Sequence, residues 1–167
     1  MTQTRTQPVD NPEALARTIV LRRLTASART RAQLAQSLAD KEIPDDVAES
    51  VLDRFTDLGL IDDADYAAAF ADSRRTRSGW SRRAIAAKLR ERGVDRELID
   101  EVLATVGPDD EFASALALGR RKWAQGSVPD DTRRRRLVAM LARRGYRHEI
   151  VSSVLATLER EGSEAAE

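Results

Sequence analysis

One pattern of apolar residues occurs three times along this chain, and it restricts the fold more than any other feature. The positions are Leu34, Leu38, Ile43, Val47, Val51 and Leu52; then Ile85, Leu89, Val94, Leu98, Val102 and Leu103; then Leu137, Leu141, Tyr146, Ile150, Val154 and Leu155. Shifts of 51 and 52 residues bring the copies into register, so one supersecondary unit is repeated. Within a copy the spacings fit one face of a helix on either side of a short gap. That gap holds turn chemistry: Lys41, Glu42, Ile43 and Pro44; Arg92, Gly93 and Val94; Arg144, Gly145 and Tyr146. Glycine there ends a helix, and Pro44, Asp45, Asp46 and Asp95 suit the opening of the next.

A further helix precedes each pair, marked by Leu15 and Ile19, Tyr66 and Phe70, and Phe112 and Leu116, again four residues apart. Each unit is therefore three helices. Leu15 to Leu38 and Tyr66 to Leu89 both span 23 residues, whereas Phe112 to Leu141 spans 29. The third unit is expected to have a longer first helix and a loop at Gln125, Gly126, Ser127, Val128 and Pro129. The expected fold is all-α, with three tandem three-helix repeats in an elongated or curved row. Residues 1–12 are read as a flexible lead, 13–61, 62–106 and 107–160 as the repeats, and 161–167 as a flexible tail.

Composition agrees with this. An apolar share of 41% argues against a large central core, and only three Phe, two Trp and two Tyr are present, which favours helices over strands. Without cysteine there is no disulfide or thiolate site, and a reducing compartment is the natural home. No apolar run reaches membrane-spanning length and the opening residues lack an apolar signal core, so the chain is expected in the cytoplasm, away from membranes.

The 28 basic and 28 acidic residues cancel but are segregated. Ten acids face two bases from Asp40 to Asp65, eight bases face Glu91 alone from Arg74 to Arg92, and ten bases face Asp130 and Asp131 from Arg120 to Arg147. Solvated helix faces usually alternate in sign, and these do not. The candidate binding residues are Arg74, Arg75, Arg77, Arg82, Arg83, Lys88, Arg90 and Arg92, with Arg120, Arg121, Lys122, Arg133, Arg134, Arg135, Arg136, Arg143 and Arg144. Arginine forks pair with carboxylates or phosphates, so acidic protein loops, DNA phosphates or both fit as partners. For the second group a merely solvated face is an equal reading.

The stretch LGLIDDADYAAAFADSRRTRSGWSRRAIAAKLRERGV, from Leu58, resembles the RecX family of RecA regulators in residues and order. Gly59, Leu60, Ile61, Asp62 and Asp63 match its GLIDD-like turn, Tyr66 and Phe70 its next helix, and Gly79, Leu89, Arg92 and Gly93 its basic stretch and closing turn. The resemblance extends from Ala14 to Leu158 and weakens in the third unit. Trp80 and the density of arginine at 133–136 depart from the pattern. The resemblance implies a three-repeat helical protein that lies in the groove of the RecA filament on single-stranded DNA. There it slows ATP hydrolysis and strand exchange and limits filament growth, a role in DNA repair, homologous recombination and the SOS response.

Several motifs have plain structural explanations. Gly59 can end a helix, Leu60 and Ile61 can pack between units, and Asp62 or Asp63 can cap the next helix. Tyr66 and Phe70 suit a core better than a contact surface. Trp80 can stack on a base but fits better as a packing lid. His148 has no second histidine or cysteine with which to hold a metal and is expected to be exposed. No phosphate loop, nucleophile elbow or isolated carboxylate pair is present, so neither enzymatic activity nor a cofactor is expected. The expected protein is a monomer that regulates RecA, reaching single-stranded DNA through the filament. The competing reading is a helix-turn-helix-like regulator acting directly on DNA, and a third is a helical scaffold.

Overall fold

The computed structural model describes residues 11–104, 108–124 and 130–164. Among them are nine helices and no strand: α1 (Pro12–Ala26), α2 (Arg31–Ala39), α3 (Asp45–Asp57), α4 (Asp63–Ser78), α5 (Arg82–Glu91), α6 (Arg96–Ala104), α7 (Pro108–Trp123), α8 (Asp130–Arg143) and α9 (His148–Glu164). They follow one another as three three-helix domains. The loop expected at Gln125–Pro129 and the outermost residues of both ends lie outside the described residues.

Local chemistry explains the starts and stops. Asn11 caps α1 by accepting the Ala14 amide at 2.9 Å, with Pro12 in the first turn. Thr30 and Gln33 form a reciprocal capping box on α2. Asp62 accepts the Asp65 amide at 2.8 Å and opens α4. In the turns after α5 and α8, Gly93 and Gly145 adopt φ of 76° and 85°, and Glu42 takes the same left-handed conformation at 56° in the turn after α2. The turns after α2 and α8 close with the amides of Ile43 and Tyr146 donating to the carbonyls of Leu38 and Leu141, both at 3.2 Å.

Every repeated apolar position is buried or half-buried. In the first two domains the first helix differs in register from the expectation, whereas in the third Leu116 is buried as expected. Leu15, Ile19, Tyr66 and Phe70 are half-buried, while Ala16, Val20, Ala67 and Ala71, each one residue later, are buried. Small side chains let the helix axis come close, so alanine occupies the deepest line and the larger residues flank it. Ile61 is buried as expected, but Leu60 is 50% exposed because the turn through Gly59 directs it outward.

The third domain also departs in where its extra residues go. Its first helix, α7, has 16 residues, as does α4. The second helix is the longer one, with 14 residues in α8 against 10 in α5 and 9 in α2. Leu137 lies two turns into α8, whereas Ile85 and Leu34 lie one turn into theirs, so the added turn carries Asp130 to Arg133. Helix α9 continues through Glu161 to Glu164 rather than ending where the tail was expected. Glu161 is held there by Arg120, whose guanidinium donates to it at 2.6 Å.

The chain divides into two compact units. One runs up to Tyr66 and takes in Arg92–Val94; the other comprises Ala67–Glu91 and the chain from Asp95 onward. In the first, α1, α2 and α3 enclose Leu34, Leu38, Val51, Leu52 and Phe55. In the second, α7, α8 and α9 enclose Leu116, Leu137, Leu141, Tyr146, Val154 and Leu158, and α5 packs on α6 with Ile85, Leu89, Ile99 and Leu103 buried.

Within each unit a glycine turn docks against the opening of a helix from the preceding domain. In the first, the Thr30 hydroxyl donates to the Arg92 carbonyl at 2.6 Å, and the Arg31 amide donates to the Asp63 carboxylate at 2.8 Å. In the second, the Ser81 amide donates to the Arg144 carbonyl at 2.9 Å, and the Arg82 amide to the Glu111 carboxylate at 2.9 Å. Thr30 and Ser81 are also buried, at 0% and 1% exposure.

Candidate functional site

The predicted cations fall into two groups, those engaged by the fold and those left facing solvent. Arg74 lies 5.2 Å from the Phe70 ring centroid and 5.0 Å from that of Trp80, and the two rings meet edge to face at 6.4 Å. Trp80 is thus a half-buried packing residue. Arg92 lies over Tyr66 and donates to its hydroxyl. Arg83 donates to the Gly145 carbonyl at 3.3 Å and Arg144 to the Ser78 carbonyl at 2.8 Å. Arg75 pairs with Asp72, and Lys88 with Glu91. Arg77 and Arg90 are exposed in the last turns of α4 and α5, and Arg82 opens α5.

The run from Arg133 to Arg136 is divided by the helix, because successive residues are turned by about 100°. Arg133 packs 5.3 Å from the Trp123 centroid and pairs with Asp130, Arg134 reaches Glu159 at 2.8 Å, and Arg135 donates to Thr132 at 3.4 Å. Arg136 instead shares a face with Ala139, Met140 and Arg143, at i, i+3, i+4 and i+7. This face of α8 and the Leu118, Arg121 and Lys122 face of α7, with Arg144, line an open groove of about 520 Å³. Its lining carries five cations and no acid. Arg121, Lys122, Arg136 and Arg143 are exposed and form no ion pair with any described residue. Like charges held this close raise the local potential and favour an anionic ligand.

Within the first domain, Glu49 and Asp53 both pair with Arg31, at 2.6 and 2.8 Å. Burial disfavours the charged form of Arg31, and the hydrogen bonds it donates to Glu49 and Asp53, with their charges, more than reverse that. In the third domain the Arg120 bond holds the Glu161 carboxyl below its ordinary range. A more enclosed cavity of about 280 Å³ lies between α4, α5, α6 and α7, lined by Trp80, Ile85, Leu103, Glu111 and Tyr146 among others. Burial, and then the nearby Glu111 charge, push the Tyr146 phenol up to about 12. His148 is exposed.

The sequence reading did not mark a second cationic groove, about 340 Å³, between α1 and α2. It is lined by Ile19, Arg22, Arg23, Ala26, Ser37 and Lys41. The signal was the recurrence of Ile19, Arg22 and Arg23 as Leu118, Arg121 and Lys122, which a charge count beginning at Asp40 passes over. No helix among the described residues is long and apolar enough to cross a membrane.

Three consecutive three-helix domains with an arginine-lined groove define a tandem-domain, all-helical protein. Family descriptions match in the same order: the first three-helix domain of RecX over residues 16–55, the second over 62–103 and the third over 109–155. Regulatory protein RecX of Thermobifida fusca (strain YX) is 50% identical over 134 residues, covering 80% of this chain and 72% of that protein. The protein of the same name from Mycobacterium ulcerans (strain Agy99) is 48% identical over 145 residues, covering 86% of this chain and 84% of its own length. The crystal structure of RecX from Lactobacillus salivarius has the same fold, with a TM-score of 0.72 at 18% identity, over 89% of this chain and 97% of that one. The chain belongs to the RecX family.

Proposed function

We propose that this chain is a cytoplasmic regulator of the RecA recombinase. It binds the RecA filament on single-stranded DNA as a monomer and limits ATP hydrolysis, strand exchange and filament growth, with no cofactor and no chemistry of its own. The regulatory name of its relatives supports the role, and one observation carries the site: the acid-free groove of Arg121, Lys122, Arg136, Arg143 and Arg144. Its lining has no Asn or Gln, so it suits phosphates or carboxylates better than the base edges that a helix-turn-helix regulator reads. The predicted residues Arg82 and Arg83 are poorer test positions, since the Arg82 amide and Arg83 guanidinium take part in the joint with the third domain.

The test is titration of the chain into RecA filaments on single-stranded DNA while ATP turnover is followed. Inhibition is expected at less than one chain per RecA subunit, and Arg136→Glu with Arg143→Glu is expected to weaken it severalfold without loss of helicity. Undiminished inhibition by that variant would remove the groove from the mechanism. Sequence-selective duplex binding with no effect on ATP turnover would establish the direct DNA-binding alternative.

A further inference from the structure

The groove of the first domain repeats the design of the one in the third. Ile19, Arg22 and Arg23 of α1 precede Leu118, Arg121 and Lys122 of α7 by 99 residues, and Ser37 and Lys41 precede Met140 and Arg144 by 103. In both domains these residues line a groove between the first and second helix. Arg22, Arg23 and Lys41 are exposed, and none forms an ion pair with a described residue.

The middle domain shows what happens when such cations serve the fold. Shifted by 51 residues, the positions of Arg23, Ser37 and Lys41 become Arg74, Lys88 and Arg92. There Arg74 lies against Phe70 and Trp80, Lys88 pairs with Glu91, and Arg92 lies over Tyr66. The first domain lacks the aromatic rings at these places, since Phe70 and Trp80 correspond to Ile19 and Arg29, and the carboxylate that corresponds to Glu91, Asp40, accepts instead from Gln36 at 2.8 Å. Its cations stay available.

We propose that the α1–α2 groove is a second binding site for the backbone of single-stranded DNA, with Arg22, Arg23 and Lys41 on the phosphates. A site that recurs in one chain calls for a ligand that recurs as well. A polymer with one charge per nucleotide presents the same group to both grooves, whereas a folded acidic surface presents unlike neighbours to each. Ile19 and Ala26 give the groove an apolar wall for sugar and base faces, and its lining has no Asn or Gln to read base edges. The inference rests on the reading that the free cations of this chain meet the DNA of the filament.

Fluorescence anisotropy of a labelled oligothymidylate, with the full chain at several salt concentrations, tests it. Arg22→Glu with Arg23→Glu removes two phosphate contacts. The log–log salt slope is then expected to fall by roughly 1.4, a loss of roughly 25-fold in affinity at 0.1 M salt. The Arg22→Lys, Arg23→Lys pair is expected to keep the slope. Both arginines are exposed, so helicity should persist; if the reversed pair loses it, Arg22→Gln with Arg23→Gln should still lower the slope. An unchanged slope and affinity in the reversed pair would overturn the site. If the slope is unchanged but inhibition of RecA ATP turnover is lost, the groove takes protein carboxylates, so the inference fails while the regulatory reading stands. If the slope falls but the wild-type chain has no effect on RecA turnover, the groove is confirmed and the regulatory reading fails.

Discussion

The hydroxyl of Thr30, with no exposed surface, donates to the carbonyl of Arg92 at 2.6 Å while accepting the Gln33 amide at 3.2 Å. One oxygen therefore caps α2 and ties it to the turn of the following domain. In the second unit the same connection runs through the backbone amide of Ser81 to Arg144, and the Ser81 hydroxyl only caps α5, accepting the Ala84 amide at 3.2 Å. Thr30→Val keeps the shape but leaves a buried amide and carbonyl without this partner, and should cost about 1–3 kcal/mol. Ser81→Ala keeps the connection and should cost about 1 kcal/mol. Denaturant titration of the two variants checks the order, and equal losses would contradict it.

The turn glycines are needed for conformation and for space together. A Cβ on Gly93 would stand 2.3 Å from the Ala32 Cβ, and one on Gly145 would stand 2.7 Å from the Ala84 Cβ. Neither alanine has a flexible end that can yield. Gly59 has a similar φ of 69° with nothing within 4 Å. Gly59→Ala should therefore cost only the left-handed backbone term, about 1 kcal/mol, and Gly93→Ala and Gly145→Ala about 1–3 kcal/mol more. Thermal unfolding of the three variants measures the difference.

Glu42 holds in the first domain the left-handed position that glycine takes in the others, at φ 56°, and it is exposed. Nothing but the backbone conformation then opposes replacement. Glu42→Gly should raise stability by about 0.5–1 kcal/mol, and a destabilised variant would show that the Glu42 side chain has a role in the fold.

Tyr146 predicts the alkaline behaviour. Its folded-state value of about 12 lies above the ordinary 10, because burial and the Glu111 charge disfavour the phenolate. The folded state thus holds this proton more tightly than the unfolded chain does. The contribution is complete below about pH 10 and is lost as pH rises toward 12. Tyr146→Phe should flatten the fall in denaturation midpoint across that window, and wild-type phenolate absorbance should show one group titrating near 12.

Much of the fold was legible in the sequence because helix periodicity is a local property. The 51- and 52-residue shifts located the second and third helices of every domain, and Gly93 and Gly145 located their turns. The same periodicity places all three first helices but misfaces the first two. Alanine carries little hydrophobic signal, so periodicity favours Tyr66 and Phe70 over Ala67 and Ala71, although close helix approach favours the smaller side chains. The extra turn belongs to α8 and not to the longer first helix that the spacing suggests, because spacing reports how many residues are inserted and not which helix absorbs them.

Charge shows the boundary between the two kinds of information. The sequence by itself determined that arginines cluster in the second and third domains, and helix geometry determined that Arg133 to Arg136 cannot share one face. Which of them meets solvent was decided by groups that arrive from elsewhere in the chain: Trp123 beneath Arg133, Glu159 beside Arg134, the Gly145 carbonyl at Arg83, and no described residue at Arg136 or Arg143. A guanidinium is free or engaged according to partners within a few ångströms, and only the tertiary packing of one helix on another sets those distances.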